Sequence, residues 1–502
     1  MFGLVHTRAA DQTIGAVMPF LLDPSSSIPL YRQLRYAIED AVAAGEYHAS
    51  ALPSSRALSA ELGISRTTVN LAFQELVAEG FIYSAPRSGY RVNRELIAAM
   101  QQRAANRQLD PSICSDNADW AGQLVPRHDI GIPEIDYDPA WENYPYPFIY
   151  GQVPTESFPV GPWMQALRTA LQSPHAEYSL RDAGSTDDPM LVDQLCRSVL
   201  PQRGIRADPK QVLITIGAQH GLQLTASALI RPRDAAAVEN PGYPDAWHIL
   251  HRAGADLIPV GIDAAGMMVH SIPDRARIVS ITPSHQYPTN VSLGIARRRY
   301  LLDRAAETDS FLLEDDYDSE FRYVGRPMPA LRSAPGERVV YVASFSKFLA
   351  PGVRMGYVVA AAPLIERLRS DRRYSVRHPP GQIQRALALL IESGAYHRAL
   401  RRHRIQLREK WRHMIAGIRQ ELGWDFVPPT GGTSLWLKLP PGLDSDQLTA
   451  EAARSGVLIE SGSTFFVGTA RTTSYIRLGY ATIPLDKIRE GLKVLGAAAN
   501  RL

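Results

Sequence analysis

The chain is 502 residues long, too long for one ordinary domain and sufficient for two or three. Hydrophobic residues make up 45% and charged residues 21%, the profile of a soluble globular protein, and no apolar run reaches the roughly 18 residues a membrane span needs. The formal net charge is only +3, so any contact with nucleic acid has to rest on local arrangement.

Cysteine is scarce: Cys114 and Cys196 are far apart and belong to no Cys-x-x-Cys or Cys/His cluster. Neither a disulfide framework nor a metal site is indicated, which fits a reducing cytoplasm. The N-terminus lacks the apolar stretch behind a basic start that marks a signal peptide, so a cytoplasmic location is expected. Lysine is limited to Lys210, Lys347, Lys410, Lys438, Lys487 and Lys493, so basic contacts in the first 200 residues have to come from arginine.

Residues 1–27 have weak periodicity and end in Asp23-Pro-Ser-Ser-Ser27, a loose leader. Residues 28–93 read as one compact unit. After Pro29, the spacing of Leu30, Leu34, Ile38, Ala41 and Val42 predicts one face of a helix. Ser54 caps a second helix that carries Leu58 and Leu62 and stops at Gly63. Ser65 caps a third, through Val69, Ala72, Phe73, Leu76 and Val77, ending before Gly80. Only Gly63-Ile64-Ser65 separates the second and third helices, a turn of helix-turn-helix size. Phe81-Ile-Tyr83 and Tyr90-Arg-Val92 flank Ala85-Pro-Arg-Ser-Gly89, which predicts two short strands and a wing. Arg66, Thr67, Thr68 and Asn70 fall in the first turns of the third helix, the part that enters a major groove. Arg56 starts the second helix, where phosphate contact is expected, and Arg87 sits at the wing tip. On helix pattern alone, a three-helix packing module with a solvated charged face fits equally well.

Residues 94–144 read as a linker, with a Gln/Arg/Asn-rich stretch from Gln101 to Gln108 and then scattered Pro, Asp and Trp. From about residue 145 to 502, strand-like runs alternate with helical stretches, the mark of an α/β domain. The strand candidates include Val212–Ile216, Ala236–Glu239, Arg277–Thr282, Ser310–Glu314 and Val339–Ala343.

After the last of these comes Ser344-Phe-Ser-Lys-Phe-Leu-Ala-Pro-Gly-Val-Arg-Met-Gly-Tyr357. Pyridoxal 5'-phosphate chemistry needs a lysine to form an imine with the cofactor aldehyde. It also needs small hydroxyls, backbone N–H groups and an arginine for the phosphate dianion. Ser344, Ser346, Lys347 and Arg354 supply those parts, and the apolar flanks set this lysine apart from a solvated one. Phe311-Leu-Leu-Glu-Asp-Asp-Tyr317 is a strand running into carboxylates, the place where α/β sheets bind ligands. A carboxylate beside the pyridine nitrogen keeps that ring an electron sink, and a nearby phenol can bond its O3′. A solvated strand end is the plainer account of the same residues.

The segment Leu52 to Val69, with Leu76-Val-Ala-Glu-Gly-Phe81 and the Arg-Ser-Gly wing, closely resembles the GntR-type winged helix-turn-helix. It departs from that pattern at Glu46-Tyr-His-Ala-Ser-Ala51, where a glycine turn is usual. The large domain resembles fold-type I aminotransferases. Its motifs Gly217–Leu222, Glu239–Pro244, Thr282–Thr289, Glu314–Phe321, Ser344–Lys347 and Arg477–Tyr480 are similar, in order, to the MocR/GabR branch of the GntR regulators. The fold class implied is α/β: an N-terminal winged helix-turn-helix plus a fold-type I PLP-dependent aminotransferase-like domain. The resemblance implies that Lys347 carries the imine to the cofactor, Asp315 binds the pyridine nitrogen and Tyr317 the O3′. Tyr243 would flank the ring, and Ala218, Gln219, Ser344, Ser346 and Arg354 would hold the phosphate. Arg477 would grip the carboxylate of an effector, with His285 and Gln286 lining the pocket. Tyr178 matches a tyrosine lent to a neighbouring subunit, which implies a homodimer, head-to-tail in this branch. The family turn Tyr-Pro-Thr-Gly becomes Tyr287-Pro-Thr-Asn290, and Asn tolerates the left-handed backbone such a turn needs.

The function implied is a DNA-binding transcription regulator that senses an amino acid or amine through aldimine exchange at Lys347 and reads double-stranded DNA with paired half-sites. The alternatives are an active aminotransferase with an attached DNA-binding domain, and a structural module without cofactor. The set Lys347, Asp315 and Arg354 argues against the last.

Overall fold

A computed structural model describes residues 20, 22–43, 52–85, 89–99, 120–124, 131–135, 138–336, 338–424, 426–468 and 472–502. Arg87, Cys114, the Glu46–Ala51 stretch and most of the expected leader and linker lie outside the described residues. The chain divides into two units, Met1–Arg127 and His128–Leu502.

In the first unit the apolar spacing resolves into α1 (Leu30–Ala43), α2 (Ser55–Leu62) and α3 (Arg66–Ala78), followed by β1 (Ile82–Ala85) and β2 (Gly89–Val92). Leu34, Ile38, Leu58, Val69, Phe73, Leu76 and Ile82 are buried together in one core. Both serine caps form: Ser54 Oγ accepts from the Ala57 amide at 3.2 Å and Ser65 Oγ from the Thr68 amide at 3.1 Å. Gly63 takes the left-handed conformation (φ 65°) that ends α2 and turns the chain into α3. The strands pair antiparallel, Ile82 opposite Val92 and Ala85 opposite Gly89. Phe81 lies before the first strand instead of in it, because its amide closes the end of α3 on the Leu76 carbonyl at 2.9 Å. Residues 94–99, read from sequence as the start of the linker, are helical. Asn93 explains this: its Oδ1 accepts from the Leu96 amide at 3.3 Å and its Nδ2 donates to the Gly80 carbonyl at 3.0 Å. Ile97 then packs against the same core.

The second unit is built on an eight-stranded sheet. Its strands are β3 (Val212–Thr215), β4 (Ala235–Asn240), β5 (Asp256–Asp263), β6 (Gly266–Met267), β7 (Ala276–Ile281), β8 (Phe311–Asp316), β9 (Val339–Ser344) and β10 (Gly356–Val359). They lie in the order β3-β10-β9-β8-β7-β4-β5-β6. The pairs β9/β8, β8/β7, β7/β4 and β4/β5 are parallel, whereas β10 runs antiparallel to both its neighbours. The central strands begin in apolar runs, Ala235–Val238, Phe311–Leu313 and Val339–Val342, because both faces of the sheet are covered, and the polar residues of β4 and β8 gather at the strands' C-terminal ends. A second, three-stranded antiparallel sheet, β11 (Ser434–Lys438), β12 (Glu460–Ser461) and β13 (Tyr475–Gly479), has β13 in the middle. Ile132, within the stretch read as linker, is buried in the core of this unit. No helix among the described residues is long and apolar enough to cross a membrane.

Candidate functional site

A cavity of about 280 Å³ lies over the C-terminal ends of the central strands. Side chains alternate along a strand, and β8 shows the consequence. Glu314 and Asp316 serve one face. The Glu314 carboxylate accepts from the amides of Leu331 and Arg332 at 2.8 and 3.0 Å. Asp316 accepts from Arg203 Nε at 2.8 Å, Tyr341 Oη at 2.7 Å and Ser319 Oγ at 2.9 Å. Burial opposes its charge, yet Arg203 and these donors hold the Asp316 carboxyl below the usual carboxylate range. Asp315, between them, faces the cavity, and its Oδ1 is buried with no hydrogen-bond partner among the described residues. Burial first, then the neighbouring Asp316, push its pKa up to about 7, against the pull of Lys347.

Lys347 also lines the cavity, its Nζ 4.2 Å from the centre of the Tyr150 ring. Burial and the Arg477 charge bring its pKa down to about 8, although Asp318, Glu460 and Asp315 work in the other direction. A lysine so placed is partly neutral near physiological pH and hence nucleophilic. It sits on a loop whose base is pinned where Ser344 pairs with Gly356 across β9 and β10. The Ser346 amide donates to Ser344 Oγ at 3.0 Å, and Ser346 Oγ is buried without a partner among the described residues. Arg354 returns from the same loop with a left-handed backbone (φ 50°). Opposite it, helix α4 (Gly217–Leu229) begins, and its Ala218 and Gln219 line the cavity. Glycine is required at both sides of this approach. A Cβ on Gly217 (φ 72°) would stand 3.1 Å from Arg354 Nη2, and one on Gly356 would stand 2.7 Å from the Gly217 carbonyl carbon.

Tyr243 precedes helix α5 (Pro244–Arg252). Its hydroxyl donates to Asp245 Oδ2 at 2.8 Å, and Gln219 Nε2 donates to the Tyr243 hydroxyl at 3.2 Å and to the same Asp245 oxygen. The ring stands 5.0 Å from that of Tyr287, which in turn lies 5.7 Å from Tyr317. Gln286 braces this wall, donating to the Pro241 carbonyl at 2.8 Å. Asn290 adopts φ 60°, as the altered turn requires, and its Nδ2 reaches the Ser434 carbonyl at 2.7 Å.

The cavity thus gathers Ala218, Gln219, Tyr243, Asp315, Tyr317, Ser344, Ser346, Lys347 and Arg354. His285 and Arg477 are not among its lining residues. His285 is buried and turned to Asp318, Nδ1 to Oδ1 2.8 Å. Arg477, in the middle strand of the small sheet, is buried with its guanidinium carbon 3.6 and 4.2 Å from the ring centres of Tyr150 and Tyr287. Its Nε donates to Ser434 Oγ at 3.2 Å and its Nη1 has no partner among the described residues. Tyr178 stands apart from the cavity, with Arg385 and Arg181 at 4.3 and 5.0 Å from its ring centre. Tyr150, Tyr287 and Asp245 line the cavity without having been assigned to it from sequence. Tyr287 and Asp245 lay in or beside quoted motifs, whereas nothing local marked Tyr150.

In the first unit, Arg56, Ser65, Arg66 and Thr67 are exposed, and Thr68 and Asn70 are half-buried on the first turns of α3. Arg66 Nε reaches Ser55 Oγ at 3.4 Å, so α2 and α3 present one polar face.

Residues 30–92 match the family of bacterial regulatory proteins, gntR family, and residues 153–495 match aminotransferase class I and II. The chain is 37% identical over 486 residues to the HTH-type transcriptional regulator TauR of Rhodobacter capsulatus, spanning 96% of this chain and 99% of TauR. It is 31% identical over 492 residues to the probable rhizopine catabolism regulatory protein MocR of Rhizobium meliloti, spanning 95% of each. Among solved structures it is similar to LysN, the α-aminoadipate aminotransferase of Thermus thermophilus, complexed with N-(5'-phosphopyridoxyl)-L-leucine. That similarity has a TM-score of 0.68 and 25% identity, over 76% of this chain and 99% of LysN.

Proposed function

Since this chain belongs to the MocR-type transcriptional regulators, in which a GntR-type helix-turn-helix is joined to an aminotransferase class I and II domain, we propose that it binds operator DNA under the control of an amine or amino acid sensed at Lys347. The observation that carries this reading is the buried, unpartnered Asp315 Oδ1 in one cavity with Lys347 and Arg354, in a chain that also exposes Arg66 and Thr67 on a recognition helix.

The cavity residues fit pyridoxal 5'-phosphate. An orphaned acidic oxygen suits a protonated ring nitrogen, and the orphaned Ser346 hydroxyl, Arg354 and the start of α4 suit a phosphate dianion. When bound, the cofactor supplies an aldehyde that can exchange the lysine amine for an effector amine. Asp315 would stabilise the proton on the ring nitrogen, Tyr317 would orient the ring through its oxygen, and Tyr243 would limit its tilt. Lys347, once released, would take up a proton, and its ammonium would be stabilised by Asp318 and Glu460, the carboxylates that favour its charge. Arg477, packed on Tyr150 and Tyr287, is the cation available to an effector carboxylate once those rings shift. Differential binding of the effector to two states of the protein is what transmits the signal.

On the first unit, Arg66, Thr67, Thr68 and Asn70 would read base edges, Ser65 would orient the helix, and Arg56 would hold phosphate. A homodimer reading paired half-sites follows from the family, and the position of Tyr178 outside its own cavity supports it. A cytoplasmic site of action accords with this role.

The test is the visible absorbance of the purified protein before and after adding a panel of amines and amino acids, with keto-acid product assayed in parallel. The expected outcome is a spectral change with one ligand class and no sustained product, and loss of the visible band in Lys347→Ala. Steady keto-acid formation would instead establish an aminotransferase with an attached DNA-binding domain.

A further inference from the structure

Four carboxylate, ammonium or guanidinium side chains line the cavity: Asp245, Asp315, Lys347 and Arg354. The proposed sensing reaction uses three of them. In it Asp315 would meet the ring nitrogen, Lys347 the aldehyde and Arg354 the phosphate. Asp245 is left over. It lies in the first turn of α5, half-buried, and among the described residues it forms no ion pair. Its recorded donors are neutral, the Tyr243 phenol and the Gln219 amide, and both fall on Oδ2. Oδ1 is not used by either. Asp245 also borders a second groove together with Gln219 and Arg354, so it lines both the cavity that holds Lys347 and the groove beside it.

A carboxylate held in a partly desolvated cavity without a countercharge favours a cation brought to it and disfavours a second anion. We propose that Asp245 selects the effector, which is a primary amine carrying a second cationic group, ammonium or guanidinium, that pairs with Asp245 Oδ1. A diamine or a dibasic amino acid has this chemistry, and a dicarboxylic amino acid does not. The inference rests on the sensing reading above and narrows it.

The experiment titrates full-length, cofactor-loaded protein by visible absorbance with matched pairs: 1,4-diaminobutane against butylamine, ornithine against norvaline, and glutamate as the acidic control. The dications are expected to half-saturate at a concentration roughly tenfold lower than their neutral partners, with glutamate weakest. Asp245→Asn keeps an acceptor oxygen for Tyr243 and Gln219 while removing the charge, so it is expected to bring the ratio within each pair close to one. Asp245→Lys should reverse the order in favour of glutamate. If neutral amines change the spectrum as readily as the dications do, or if Asp245→Asn weakens both members of a pair equally, Asp245 only positions Tyr243 and the selectivity inference is overturned. If no amine changes the spectrum, the sensing reading fails and this inference with it.

Discussion

Arg66, Thr67, Thr68 and Asn70 stand within two turns of a single helix, at the surface, and their orientation needs only the Ser65 cap and the small core beneath. Ala218, Tyr243, Tyr287, Asp315 and Lys347 come from separate strand ends and turns and meet only when the eight-stranded sheet is complete. The groups proposed to read DNA are therefore cheap to place and easy to alter one at a time. The second unit carries its buried carboxyls at a thermodynamic cost: burial raises the pKa of Asp315, in the cavity, to about 7, and that of Glu239, which accepts from Thr282 away from the cavity lining, to about 8. Stability and function are nearly separable in the first region and entangled in the second.

The comparison breaks most visibly where the small core itself is cut. Phe73 is fully buried, and Phe73→Ala is expected to cost the first unit about 3–5 kcal/mol and abolish DNA binding. The visible absorbance of the loaded second unit should persist; its loss would show that the units do not fold independently. A smaller effect, of opposite sign, is expected at the buried carboxyls of the second unit. Asp315 and Glu239 keep their protons in the folded state between about pH 4 and the values near 7 and 8, whereas the unfolded chain has already released them. Their contribution to stability therefore falls as pH rises through that window. In cofactor-free protein, Asp315→Asn should raise the melting temperature relative to the parent at pH 8, by on the order of 2 kcal/mol of stability, and leave the difference small at pH 5. With pyridoxal 5'-phosphate bound the sign should invert, because the substituted side chain no longer offers a charge to the ring nitrogen. The smallest of the three is at the surface. Arg66→Ala should weaken operator binding by about 1–3 kcal/mol with an unchanged melting profile. Equal affinity for operator DNA at moderate salt would remove Arg66 from the reading surface.

The same contrast explains what could be read from the residues alone. In the first unit, caps and turns are local chemistry, so Ser54, Gly63 and Ser65 announced the helix ends that the structure shows. The helical stretch at 94–99 was hidden because its cap, Asn93, also serves the preceding turn through Gly80. In the second unit, Ser344, Lys347 and Arg354 were legible because they share one loop, and Asp315 because a buried apolar strand runs into carboxylates inside a motif that resembles the family's; strand alternation then separates it from Glu314 and Asp316. Tyr150 could not be read, since it reaches the cavity only through packing against Tyr287 and Tyr317. His285 lay in a familiar motif, yet its ring goes to Asp318, a choice made by side-chain rotation that no spacing encodes.

The pinning of Ser344 to Gly356 makes the intervening segment a closed ring with Lys347 near one end and Arg354 near the other. Two groups on one ring bind a two-ended ligand as a chelator does. Once either end is held, the other meets its target at an effective concentration far above that of a free reagent. In the proposed sensing reaction, breaking the contact of Lys347 would therefore not release a ligand held by Arg354, and the protein would surrender its lysine repeatedly without losing its cofactor.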